Sequence, residues 1–547
     1  MDQFNKLIKP NFANKDVLPI VSITAAASIF YATYQMFHFQ KKVVSKQIPV
    51  PGSSYPYVGH MLSLGELPGK TVAKWHDELG PIIRLRMGVL DWIMVNDPIL
   101  AHKIFVVKGA ETSHRPHNTY AHNSDALGEK GVAFAQPNNR WKENRAAALS
   151  VLAPKHIEKY IPSINKEAKD LVTRFIESTE KDGGVDPFKH LELNSLNVIT
   201  ETCFSKRFDS VEDPEFIKLS NIVETTMLYC GAENDLVNFL PIVSIYDYFF
   251  GNQAEKKNFN LNERNPHLRR MVKEATYAKG PNVIKALEDG EFKLTEEELM
   301  ALALLSNEAD LIVAGTDTAS ITLAWNIAIM CHHPDIQRKV SAEIDKFIES
   351  NGRTPHFKER EQLPYCISVM KESMRYKPTT TFGIPHTAHE DLYVDGYIIP
   401  KGASILSSME SMHMNPDVFT EPKKFDPERF LNNIKTMQSA ANGKIEERDH
   451  FNFGWGRRIC PAISLAETEI FATFVQIFSR CFVEPTSDGL PDIESAVNSG
   501  LTTAPVRYKW VHSQMEHFFE LSGTFFKNKM EHFTNLILCD STILRSQ

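Results

Sequence analysis

The chain has no C-x-x-C pair, and its seven cysteines (Cys203, Cys230, Cys331, Cys366, Cys460, Cys481 and Cys539) are odd in number and widely spaced. That pattern argues against a disulfide framework and against a structural zinc site. It suits a reducing compartment in which one cysteine is functional. No long run of a single charge sign occurs, and Lys+Arg 60 against Asp+Glu 68 leaves a net charge of −8. Nucleic-acid binding therefore finds no basic stripe to use. Internal repeats and low-complexity stretches are missing too, so most of the 547 residues read as one large body.

The N-terminus lacks charge where a membrane would demand it. From Val17 to Gln40 there is no Asp, Glu, Lys or Arg, and Lys41, Lys42 and Lys46 follow directly. That is roughly the length a helix needs to cross a bilayer. Ala25 and Ala27 offer a passable cleavage site, so a secretory signal is the rival reading. The apolar character continues through Ile29, Phe30 and Phe37, which favours a retained transmembrane helix. Residues 1–40 are assigned as the anchor. Residues 41–59 form a proline-rich hinge, with Ile48-Pro49-Val50-Pro51-Gly52 as a stiff connector. Residues 60–511 form the body. Residues 512–547 carry Phe518, Phe519, Phe525, Phe526 and Phe533, as either an extra amphipathic helix or an unordered extension.

Helical patterns dominate the body. A capping box at Thr295 and Glu298 opens the longest, which runs to about His332 and is stopped by His333-Pro334. Its middle stacks poor helix formers, Gly315-Thr316-Asp317-Thr318, so a local distortion is expected there. Strand signals are short. Ile82–Arg86 and Trp92–Val95 suggest one hairpin. Leu392–Val394 and Tyr397–Ile399, joined by Asp395-Gly396, suggest another. The fold class is mainly α with a small β region.

The strongest local signal is Phe453-Gly454-Trp455-Gly456-Arg457-Arg458-Ile459-Cys460-Pro461, followed by an apolar helical run from Ile463 to Phe478. The glycines permit a tight loop that approaches a flat ligand, and the arginines offset anionic groups. A cysteine just before a helix is favoured as thiolate by the N–H groups and the dipole. A haem iron needs such a ligand to cleave dioxygen.

Phe453-x-x-Gly456-x-Arg458-x-Cys460 resembles the haem loop of the cytochrome P-450 superfamily. Glu372-x-x-Arg375, Pro427-Glu428-Arg429-Phe430, Ala314-Gly315-Thr316-Asp317-Thr318 and Trp141-x-x-x-Arg145 are similar to its other motifs, in the family's order. The resemblance implies the P-450 fold with haem b bound through Cys460. It implies haem contacts from Trp141, Arg145, His386, Phe453 and Arg458, and a buried network of Glu372, Arg375 and Arg429. Asp317 and Thr318 would deliver protons to dioxygen. Residues 113–126, 314–318, 381–384 and 500–504 would face the substrate, with Ala314, Gly315, Thr381, Gly383, Ile384, Leu501 and Thr502 in the pocket. One departure is Ala462, where the family usually has glycine.

The hinge resembles the microsomal branch. That implies a single-pass protein of the endoplasmic reticulum membrane, its catalytic domain in the cytosol. No nucleotide fingerprint for flavin or NADPH occurs, so electrons originating from NADPH should arrive through NADPH–cytochrome P-450 reductase, with cytochrome b5 a further partner. The expected reaction inserts one oxygen atom of dioxygen into a lipophilic organic substrate. A P-450-like isomerase, dehydratase or peroxide-using enzyme, and a non-catalytic haem protein, are the alternatives. Substrate identity is not legible.

Overall fold

The computed structural model describes residues 46–122, 130–250, 252–290, 294–295, 297–299 and 312–514. The anchor segment, residues 123–126 of the expected pocket, residues 296 and 300–311 of the expected long helix and all but the start of the C-terminal extension lie outside these residues. No helix among the described residues is long and apolar enough to cross a membrane.

The body is built from helices, and one of them organises the rest. The central helix, Ile312–His332, ends where Pro334 forbids continuation and opens the next helix, Pro334–Asn351. The capping box upstream is formed: Glu298 accepts from the Thr295 amide at 2.8 Å, and the Glu298 amide donates to the Thr295 hydroxyl at 3.2 Å. The expected distortion is not found. Ile312–His332 is regular α-helix throughout. Tertiary packing overrides the weak propensity. The helix lies most extensively against Phe188–Phe204, and the Gly315 position touches that neighbour so closely that a Cβ would come within 2.6 Å of Ile199. The Thr318 hydroxyl donates to the Ala314 carbonyl one turn back, a contact that by itself tends to bend a helix, yet the helix stays regular.

The β region is small, as expected. β1 (Ile82–Met87) and β2 (Leu90–Val95) form the first hairpin. β3 (His386–Thr387) follows, then β4 (Leu392–Val394) and β5 (Tyr397–Ile399) form the second. Its turn places Asp395 and Gly396 both at positive φ, the conformation a two-residue hairpin needs. β6 (Ser404–Ser407) completes a four-stranded sheet in the order β1-β2-β6-β3.

Two sequence boundaries move. The described part of the hinge packs on the body: the Arg84 amide donates to the Pro49 carbonyl at 2.8 Å, and Lys46 pairs with Tyr397. Buried His60 also bonds the Pro51 carbonyl. At the other end, strand Trp510–Gln514 pairs with Cys481–Pro485, so the body runs past residue 511.

Glu372 and Arg375 sit one turn apart on helix Pro364–Tyr376, fully buried. The guanidinium grips both carboxylate oxygens at 2.7 Å. Arg429 reaches the same carboxylate at 3.1 Å, and the Asp426 amide donates to it at 2.8 Å. Removing one partner strands a charge without water. Arg375→Ala should therefore cost about 3–5 kcal/mol and lower the denaturant midpoint of the holoprotein. An unchanged midpoint would rule the network out as a support of the fold.

Candidate functional site

Two faces meet across a cavity of about 270 Å³. One face is the central helix, which contributes Ala314, Gly315, Thr318, Ala319 and Thr322. The other is the loop Phe453–Pro461 with the start of helix Ile463–Phe478. The loop is held by its own backbone, with the Cys460 amide donating to the Phe453 carbonyl at 2.9 Å. Gly454 has a φ of +73°, which the turn requires, and it lines the cavity. Gly456 serves packing instead. A Cβ there would stand 2.3 Å from the Phe105 carbonyl oxygen.

Among the described cysteines, Cys203, Cys230, Cys331, Cys366 and Cys481 are buried, and Cys460 alone is partly exposed. Burial pushes the Cys203, Cys331 and Cys481 thiols up to about 12. Cys460 instead lines the cavity, at the N-terminal approach to helix Ile463–Phe478. A thiolate is favoured at such a position. No cluster of His, Cys, Asp and Glu suited to a metal ion occurs among the described residues.

Cations edge the same cavity. Arg458 donates to the Ser113, Val132 and Ala135 carbonyls at 2.9, 2.8 and 2.6 Å. Arg145 donates to the Ile459 carbonyl. Trp141 does not line the cavity. It is buried behind the arginines, its indole N–H donating to Val132, with Arg458 stacked 4.2 Å and Arg145 5.8 Å from the ring centre. Phe453 and His386 both line the cavity. His386 is buried in β3, its Nδ1 2.9 Å from the Thr112 carbonyl. Burial, then the nearby Arg115 charge, holds the ring well below the usual histidine range. An anion beside Nε2 would draw the proton back.

Sequence reasoning passed over two lining residues. Arg115 donates to the Ile384 and Pro385 carbonyls at 2.9 and 2.7 Å. It lay inside the expected segment 113–126 but carried no motif. Glu469 is a carboxylate inside the apolar run that follows Cys460, and that oddity was its signal. Burial raises it to about 7.

Thr318 faces the cavity, whereas the Asp317 carboxylate turns aside and accepts from Thr502 at 2.6 Å. Ala314, Gly315, Gly383, Ile384, Leu501 and Thr502 line the cavity. Thr381 does not. It lines an adjoining outer chamber of about 190 Å³, which shares Phe382, Gly383, Leu501 and Thr502 with the inner one.

The family model described as cytochrome P-450 matches residues 49–512. The chain belongs to the cytochrome P-450 family. It is similar to steroid 17-alpha-hydroxylase/17,20 lyase of Felis catus, with 28% identity over 85% of this chain and 95% of the relative. Similarity to cytochrome P-450 1A1 of Oryctolagus cuniculus is 23% over 93% of this chain and 98% of the relative. Ferruginol synthase of Salvia fruticosa is 26% identical over 85% of this chain and 93% of the relative. This P-450 is accordingly an oxidoreductase, a monooxygenase whose haem is carried on a cysteine thiolate.

The cavity suits that group. Its helical walls are largely apolar, a thiol stands on its floor, and Arg115, Arg145 and Arg458 edge it. A flat apolar macrocycle with anionic edge groups matches each feature. Ala462 lines the cavity and is accommodated there. The reduced carbon monoxide complex should show the red-shifted Soret band of thiolate ligation. Cys460→Ser should lose that band, and its retention would refute the assignment of Cys460.

Proposed function

We propose that this P-450 is a membrane-anchored, reductase-dependent monooxygenase of lipophilic molecules, with Cys460 as the iron ligand. The observation that carries the reading is one cavity onto which Cys460 and Thr318 both open from opposite walls. When bound, haem supplies a redox-active iron for dioxygen chemistry. The chain's residues do the rest. Arg145, Arg458, Arg115 and His386 would hold the anionic edge. The apolar walls exclude bulk water, and those on the central-helix side, with Ile199 and Met227, would receive an apolar substrate.

One oxygen atom of dioxygen enters the substrate and the other leaves as water. Two protons must be delivered, and this is the task of the acid-alcohol pair. The Thr318 hydroxyl spends its proton on the Ala314 carbonyl, which leaves its oxygen to accept from a water in the cavity. Asp317 lies behind it. Burial, the largest influence, raises its carboxyl to about 6. Such a group binds and releases protons near neutrality, as a general acid should.

Two electrons would come from NADPH through NADPH–cytochrome P-450 reductase, with cytochrome b5 as a second donor. The charge-free span Val17–Gln40 supports a membrane anchor, and the resemblance of the hinge to the microsomal branch supports the endoplasmic reticulum membrane with the body in the cytosol. The outer chamber lies beyond Phe382 and Leu501 and would admit the substrate.

Thr318→Ala should bind haem and reductase and consume NADPH, but release more peroxide per product. Misplaced proton donors typically cost about 10²–10⁴-fold, and Asp317→Asn should mainly slow turnover. Unchanged product yield and peroxide release in Thr318→Ala would overturn the proton-delivery reading. Turnover with peroxide but none with NADPH and reductase would assign a peroxide-using enzyme instead.

The anchor is separable from the chemistry in this reading. Deleting residues 1–40 should weaken membrane association, measured by flotation, and leave haem content intact. A truncated protein unable to hold haem would overturn the division into anchor and body.

A further inference from the structure

Asp317 has a single hydrogen-bond donor to its carboxylate among the described residues, and it comes from far away in the chain. Thr502 donates its hydroxyl at 2.6 Å across a separation of 185 residues. Among the described residues, the charged groups acting on Asp317 are themselves acidic. Glu192 on helix Phe188–Phe204 and Glu224 on helix Pro214–Cys230 are both acidic. The nearby Lys189 ammonium is already taken by those two, at 2.8 and 2.6 Å.

Thr502 is held where it can do this. Gly500, with a φ of +90°, presses against helix Pro214–Cys230, where a Cβ would stand 2.5 Å from the Met227 carbonyl oxygen. The Ser499 amide donates to the Thr502 carbonyl at 2.9 Å. Thr503 is fixed on both sides: its amide donates to Thr379 at 2.8 Å and its carbonyl accepts from the Trp325 indole at 2.9 Å. The Thr503 hydroxyl also meets that of Thr381 at 2.9 Å. The turn is therefore stiff, and the Thr502 side chain is buried.

Thr502 also lines both the inner cavity and the outer chamber, while Asp317 lines neither. Thr502 thus stands between the substrate space and the acid. We propose that Thr502 is a positioning residue for Asp317, holding its carboxylate from the substrate side so that the pocket wall and the proton relay form one hydrogen-bonded unit. This rests on the reading of Asp317 as the relay. A substrate that presses on Leu501 and Thr502 would thereby alter the readiness of the proton donor.

The sign follows from the donor's role. A hydroxyl donating to a carboxylate favours the ionised form. It opposes burial and the two glutamates, which favour the protonated form. Loss of the hydroxyl should leave Asp317 protonated to higher pH. Valine matches threonine in shape and lacks the donor, and serine keeps the donor.

The test uses haem-loaded full-length protein and infrared difference spectra on either side of pH 6. The Asp317 carboxylic band is identified by its loss in Asp317→Asn. Thr502→Val should raise the band's titration midpoint by roughly one pH unit, a tenfold shift in the protonation equilibrium. Thr502→Ser should keep the wild-type midpoint. An unchanged midpoint in Thr502→Val, or an equal shift in both variants, would overturn the proposal. Carbon monoxide spectra check that both variants are loaded. Slowed turnover of Asp317→Asn tests the relay reading on its own, since the infrared midpoint requires no turnover.

Discussion

A carboxylate with no access to water holds the thiol loop in place. Glu372 binds the guanidinium of Arg375 at both oxygens, and also Arg429 and the Asp426 amide. Arg375 passes the constraint on to the His413 and Pro422 carbonyls, each at 2.9 Å. His413 in turn accepts from the Phe451 amide at 2.8 Å, at the entry to the loop. Asn452 closes the circuit by donating to the Met374 carbonyl at 2.7 Å, back on the helix that carries Glu372. A buried ion pair is weak evidence for net stability. Here its value lies in geometry, because Cys460 must present its sulfur to a narrow cavity and nowhere else.

The cations around the cavity follow the same logic at lower stakes. Arg458 spends its donors on three carbonyls and its face on Trp141. The guanidinium is thereby fixed in position at the cavity edge. Trp141 belongs to the rear support of this arrangement rather than to the cavity wall.

Much of this was readable from local patterns. The Cys460 loop, the Glu372–Arg375 turn and the Asp395-Gly396 hairpin each depend on residues within a few positions of one another, where spacing and φ decide the outcome. Arg115 was not legible as a lining residue, because nothing in its neighbours marks the cavity it faces, whereas Glu469 stood out only as a carboxylate inside an apolar run. The central helix misled in the opposite direction. Gly315 and Thr318 are poor helix formers, but the close approach of Ile199 and its helix keeps the central helix regular. Propensity is a weak prior, and packing on Phe188–Phe204 outweighs it.

The amino-acid order alone determined the family resemblance, the iron ligand expected at Cys460, the mainly helical class and the charge-free N-terminal span. Each is carried by residue type at short spacing, which survives without knowledge of the fold. Tertiary structure alone decided where those groups meet. It set Trp141 behind the arginines, moved Thr381 to the outer chamber and laid the proline hinge along the sheet. It also brought Thr502 to Asp317 across 185 residues. A hydrogen bond depends on distance in space, and a chain this long returns to itself at points that no local pattern records.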